Sequence, residues 1–423
     1  MFRNQYIALL ITIACIISSL YITCKYYPHY VYNDLKSRVV GTRLATAKLS
    51  PYLHKYNPAT DSTTLLDPHE KPNEIVNGNT ITPTAMLLLQ GLHSQQLYII
   101  TALWVWLSYA AFFIIIYIAY KQNSHYYIPI LMSVLLLTVS WQLHILKGQM
   151  YILYTVIAIL ALYMYKLKRY ATSAICAALV TAIRFPYGIL FVPLLCMPNN
   201  KKWAASYLLG IALLVAISYM YYGSIVWQHY LESMHWHSLE NAYAIPTIIP
   251  HTYTVPLTME QVPNIASSTL QAYELRLNPD VFSVQKLLVT LQLPSTTMWL
   301  VVYYLLTILI LLALLHKYAP SWYKHTPVLL LCSSIALLLA DYYLPAVRFN
   351  YNYVQILIPL YIIQLYPVTI PKWCKIMLYI GFTLLIIKLN WLPECYSLAE
   401  VLCIVSLCGI ALQYCKQLYY PVK

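Results

Sequence analysis

Asp34 stands in Tyr32-Asn33-Asp34-Leu35, just beyond the first apolar run, where a carboxylate can act as a general base toward an acceptor hydroxyl. Asp is also a preferred cap for a helix that begins there. Arg184, in Arg184-Phe185-Pro186, interrupts an apolar segment, and an arginine at membrane depth costs at least roughly 2.5–3.5 kcal/mol. It is therefore either functional, with its planar fork on the phosphate of a lipid-linked donor, or structural, snorkelling or paired with a carboxylate such as Asp341. Lys147-Gly148-Gln149 opens another apolar segment. Gln149 can hydrogen-bond a sugar or phosphate at a helix N-terminus, which favours anions, or can simply start the helix. Asp341 and Arg348 bracket a short turn continued by Phe349-Asn350-Tyr351-Asn352-Tyr353, a set that can line a sugar site or close a structural salt bridge. His235-Trp236-His237 has no carboxylate ligand set beside it, so no metal site is expected.

These side chains must be positioned by membrane helices, because 61% of the 423 residues are hydrophobic and only 9% are charged. Apolar runs at 6–24, 97–120, 126–143, 150–165, 203–223, 298–315, 326–340, 350–366, 376–387 and 397–413 predict an all-α integral membrane protein with about ten full spans. The first run is too long for a cleaved signal and lacks a small-x-small site, so it reads as a retained anchor. The whole of 1–423 reads as one polytopic domain. One set of connections collects Arg3, Lys121, Lys166, Lys168, Arg169, Lys201, Lys202, Lys317, Lys324, Lys372, Lys375, Lys416 and Lys423, with no acid among them. The alternate set holds every Asp and Glu of the chain, Asp34, Asp67 and Asp341 among them. Lys and Arg in short loops mark the cytoplasmic side, so both termini are expected there and any general base on the outer face. The same bias accounts for much of the +13 net charge, which in a soluble chain would point to nucleic acid. The ten cysteines are scattered, with no metal-ligand or disulfide spacing.

The run 171–198 is interrupted at Arg184 and flanked by basic residues on both sides, and each half is too short for a crossing of roughly 17–25 residues. A hairpin of two short helices, entering and leaving on the cytoplasmic side, fits it. Its apex then lies at membrane depth, where irregular backbone requires protein or a polar cavity around it. Two long outer loops are expected at 25–96 and 224–297. Within the first, 36–48 reads as a basic amphipathic helix lying along the membrane surface. With only nine glycines and no internal repeat, a transporter built on broken, repeated helices is disfavoured.

Several stretches together resemble glycosyltransferase family 87, a group of GT-C-class, polyprenol-phosphate-sugar-dependent transferases whose best-known members are bacterial mannosyltransferases. They are Lys147-Gly148-Gln149-Met150-Tyr151-Ile152, the basic end of 161–169, the run 177–186 ending in Arg184-Phe185-Pro186, and Lys201-Lys202-Trp203. Asp34 followed by Gly41, Leu49 and Ser50-Pro51-Tyr52 is similar to the family's N-terminal Asp, Gly and Pro-Tyr pattern. The chain departs from the pattern at Tyr151, where the family commonly has Asn, and at Arg184, where Lys is common. The resemblance implies that Asp34 is the general base and that Arg184 and Gln149 contact the donor. Lys147 and Arg348 are further donor-site candidates, and Asp341, Asn350 and Tyr52 candidates for the acceptor or sugar cavity. The implied reaction is inverting transfer of a hexose, mannose foremost, from polyprenyl phosphate to a lipid or glycan acceptor on the outer face of a bacterial plasma membrane. No cofactor beyond the lipid-linked sugar is expected. A lipid-linked-sugar flippase and a non-catalytic membrane subunit are the alternatives.

Overall fold

A chain this apolar can satisfy its backbone groups in lipid only within helices, and among the described residues all regular structure is helical. The computed structural model describes residues 2–27, 32–70, 76–122, 125–243, 297–318, 322–343, 350–387 and 394–419, with the single positions 284, 288, 293 and 320. In chain order the helices are α1 (Phe2–Tyr26), α2 (Asn33–Thr46), α3 (Pro83–Leu89), α4 (Leu97–Gln122), α5 (Tyr127–Val134), α6 (Val139–Lys147), α7 (Tyr151–Lys166), α8 (Tyr170–Ile183), α9 (Gly188–Cys196), α10 (Lys201–Tyr222), α11 (Ser224–Tyr243), α12 (Thr297–Tyr318), α13 (Thr326–Tyr343), α14 (Leu357–Leu365), α15 (Lys372–Ile386) and α16 (Glu394–Tyr419).

Six described helices, α1, α4, α10, α12, α13 and α16, are long and apolar enough to cross a membrane, or seven spans if the bent pair α5–α6 counts as one, against the roughly ten expected from hydropathy. The remaining expected runs form helices shorter than a full span: α7 has 16 residues, α14 nine and α15 15. All nine residues of α14 are buried, and a helix apolar all round belongs in an interior. The run expected at 126–143 is broken: a 3-10 turn, Leu135–Leu137, leads to extended Thr138, and the axis bends by 54°. Thr138 Oγ1 caps the new helix by accepting from Trp141 N at 3.3 Å. The expected short hairpin is α8 and α9, joined by a 3-10 turn at Phe185–Tyr187.

Basic residues gather at one end of this bundle. Lys166 donates to Gln122 Oε1 at 3.3 Å and to the Leu365 carbonyl, tying α7 to the ends of α4 and α14. Lys375 lies over the Tyr127 ring at 5.1 Å, and Lys416 over Tyr318 at 5.4 Å. The end of α6, the start of α2, the α8–α9 apex and the Asp341 end of α13 fall at the opposite end. Buried Glu400, in the early turns of α16, lies toward it, accepting from Tyr342 of α13.

The helix expected at 36–48 exists as α2, but it does not lie on a membrane surface. Leu35, Ser37, Arg38, Val39, Val40, Gly41, Thr42 and Leu44 are all buried, which at 100° per residue covers most of its circumference. The basic residues taken as a solvent face include Arg38, which points inward. Gly148 makes this docking possible. It follows α6 at φ +70°, and a Cβ there would lie 2.5 Å from Leu35 Cβ. Gly148→Ala is expected to lower stability by about 2–4 kcal/mol through left-handed strain and displacement of α2. Thermal unfolding in detergent reads this directly, and an unchanged midpoint would show that α2 is not anchored at this point.

Candidate functional site

Asp34 is the second residue of α2, and the chain enters the helix through Tyr32, whose amide donates to the Leu146 carbonyl at 2.9 Å. This bond sets the start of α2 against the end of α6. The Asp34 carboxylate makes no capping bond to its own helix. Its Oδ1 meets His69 Nε2 at 2.7 Å, and its Oδ2 accepts from Gln149 Nε2. The Gln149 amide is held from its other side, where Oε1 accepts from Arg38 at 2.8 Å. The second arm of the Arg38 fork donates to the Gly148 carbonyl, also at 2.8 Å. Arg38 and Asp34, one helical turn apart, thus reach the same glutamine from two directions. Asp34 keeps 21% of its side-chain surface exposed and His69 33%, so solvent or a substrate can reach the carboxylate.

Gln149 is presented by a helix ending rather than by a helix start. Gly148 N donates to Ile145 O at 3.1 Å and Gln149 N to His144 O at 3.0 Å, the paired bonds that close a helix on a left-handed glycine. Lys147 lies half-buried in the last turn of α6. His69 is placed by the outer loop. Buried Asp67 Oδ1 accepts from Ser37 Oγ of α2 at 2.5 Å and from His69 N at 2.8 Å, so the loop is fastened to the helix that carries Asp34. Gly78 packs against this turn, since a Cβ on it would lie 2.7 Å from His69 Cβ.

Tyr52, expected at the cavity, is fully buried instead. Its hydroxyl donates to Ile81 O at 2.8 Å, its ring packs on Tyr230 at 5.5 Å, and burial holds its phenol well above the ordinary value. Farther out in the loop, Asn57 N and His54 Nε2 both reach Asp61 Oδ2 at 2.8 Å and hold its carboxyl below the ordinary carboxylate value. A lowered folded value means that this contribution to loop stability is complete above the ordinary value and is lost as pH falls through the lowered one. Amide exchange at Asn57 is expected to quicken in that acidic window, and Asp61→Asn to remove the pH step.

Arg184 ends α8 in extended backbone, ahead of Pro186. The last turn of α8 is closed by Thr82, which caps α3 and whose hydroxyl donates to Ile183 O at 3.0 Å. The guanidinium lies 4.8 Å from the Tyr151 ring centroid and donates to the Tyr151 hydroxyl at 2.6 Å. Its other N–H donors make no hydrogen bond among the described residues. Asp341 is within electrostatic range of Arg184, but no ion pair within 4.0 Å joins them among the described residues. The Asp341 Oδ2 accepts from Gln355 Nε2. Tyr351 connects the two halves of the site: its ring sits 6.0 Å from that of Tyr151, and its hydroxyl is within electrostatic range of Asp34, Arg38 and Arg184.

The structure therefore brings together Asp34, Gln149 and Arg184 of the expected set, with Asp341 beside Arg184. Arg348 and the Asn350 side chain lie outside the described residues. Sequence reasoning missed Arg38 and His69, while Tyr351 belongs to the run expected to line a sugar site. Only Arg38 carried a signal, its four-residue spacing from Asp34. The cluster combines a solvent-reachable carboxylate with a cation whose donors are open, separated by a pair of tyrosines. Chemically it can accept a proton at one point and hold an anion at the other. Comparison with protein-family models, with curated proteins and with solved structures returns no match.

Proposed function

We propose that the protein is an integral-membrane glycosyltransferase of GT-C type. It transfers a hexose, mannose on the resemblance to family 87, from polyprenyl phosphate to a lipid or glycan acceptor. The observation that carries this reading is the pairing of Asp34, bound only through side-chain partners and open to solvent, with Arg184, whose donors face the same tyrosine bridge. On this reading Asp34 takes the proton from the acceptor hydroxyl as its oxygen attacks the anomeric carbon. The bond from that carbon to the phosphate oxygen breaks, and polyprenyl phosphate leaves. The leaving phosphate is already a weak base, so it needs a cation and not a general acid, and Arg184 supplies one. A single displacement with one carboxylate inverts the anomeric centre, by the logic that governs inverting hydrolysis.

The basic end of the bundle then faces the cytoplasm and the Asp34 end the outside of a bacterial plasma membrane. The bent pair α5–α6, α7, the run from Asn350 through α14, and α15 complete about ten crossings around the α8–α9 hairpin. The test is sugar transfer by the purified full chain from radiolabelled polyprenyl-phosphate mannose to a lipid or glycan acceptor extract, with the product anomer assigned. Transfer with inversion is expected. Turnover from a nucleotide sugar alone, or with retention, would remove this reading.

A further inference from the structure

A second feature lies away from Asp34, at the basic end. A groove of about 1460 Å³ runs between α9 with the start of α10 on one side and α12–α13 on the other. This exceeds the roughly 300–1,000 Å³ of sites for small soluble ligands. Its walls are apolar, with Val192, Ile308 and Leu329 along their length. Val192 is 50% exposed and its neighbour on α12, Leu305, 51%, so the groove opens sideways onto the lipid-facing surface of the bundle. An occupant can therefore enter from the bilayer. At the basic end the lining becomes Lys201, Lys202 and Trp322, and among the described residues no acidic side chain lines the groove.

The polar end is built to stay positive. Lys201 and Lys202 are the first two residues of α10, where the helix dipole already favours an anion. Asn200, at the N-cap position, gives its side chain to other work: Nδ2 donates to Tyr165 Oη at 2.6 Å and to Leu194 O at 3.3 Å, and no side-chain cap covers the first turn. Two cations at a helix start, with no carboxylate among the described lining residues to balance them, are complementary to a phosphodiester. The groove leading away from them matches acyl chains.

We infer that this groove binds an anionic phospholipid, with its phosphodiester at Lys201 and Lys202 and its acyl chains between α9 and α12–α13. The inference does not depend on the transferase reading. The site serves a bilayer lipid from the leaflet at the basic end, and the Asp34–Arg184 cluster lies at the other end of the molecule.

Delipidated full-length protein is titrated in detergent with phosphatidylglycerol and, separately, with phosphatidylcholine, and bound lipid is counted by native mass spectrometry alongside the thermal midpoint. Phosphatidylglycerol is expected to bind and raise the midpoint, and phosphatidylcholine to do neither. Lys201→Gln/Lys202→Gln, both exposed positions, should weaken phosphatidylglycerol about 30-fold. Val192→Trp should obstruct the groove and reduce binding with both lysines intact. Equal binding of the two lipids would overturn the proposal, as would phosphatidylglycerol binding unchanged in the lysine variant. Binding of polyprenyl phosphate in place of phosphatidylglycerol would reassign the groove to the isoprenoid carrier and equally overturn it.

Discussion

Asp34→Asn is expected to lower sugar transfer by about 10²–10⁴-fold, the range lost when a positioned general base is removed. The substitution preserves volume. With its oxygen turned toward Gln149 Nε2, the new amide can still donate to a neutral His69, so the network that docks α2 survives in outline. The thermal midpoint should therefore stay close to wild type while turnover collapses, and donor binding should change little. Initial rates with radiolabelled donor, measured beside thermal unfolding, separate the two effects. Transfer within about threefold of wild type would remove Asp34 from the reaction, since a base contributing so little is not one.

The second large effect is at Arg184. Arg184→Met is expected to cost about 10²–10³-fold in turnover, as removal of a preorganised charge-stabilising group does. Its stability consequence has the opposite sign. A guanidinium in this setting costs at least roughly 2.5–3.5 kcal/mol to insert, and among the described residues no ion pair within 4.0 Å repays it, so the Met variant should be as stable as wild type or more so. Arg184→Lys should recover part of the activity as a point charge. It would lose the bidentate fork and weaken the contact with Tyr151. A structural arginine predicts the reverse pattern, with the midpoint falling in both variants and turnover per folded molecule unchanged.

Much of the fold was legible because helix periodicity and basic loops are local signals. The apolar run at 97–120 became α4 at Leu97–Gln122, and the run interrupted at Arg184 became the α8–α9 hairpin. The number of spans was less legible, because hydropathy does not reveal where a run breaks or changes helix type: 126–143 bends at Thr138, and in 350–366 a 3-10 stretch, Asn350–Ile356, precedes α14. The amphipathic reading of α2 failed for a related reason. Arg38 looked like a surface charge, but its partners Gly148 and Gln149 lie more than a hundred positions away. His69 was invisible because its approach to Asp34 depends on the turn that Asp67 fastens to Ser37. Tyr151 and Arg184, the two departures from the family pattern, turn out to touch one another. A substitution at one position therefore changes the setting of the other.

The clamped amide of Gln149 gives the site a direction. With Arg38 fixed on its oxygen, the amide can offer only N–H to Asp34 and cannot turn to accept. Asp34 Oδ2 is thus committed to this amide, which leaves Oδ1, beside His69, as the oxygen that meets the outer loop. The imidazole there keeps 33% of its side chain exposed, so this side of the carboxylate adjoins solvent. The acceptor hydroxyl of the proposed transfer would therefore meet Asp34 from the His69 side rather than from the buried side of the cluster.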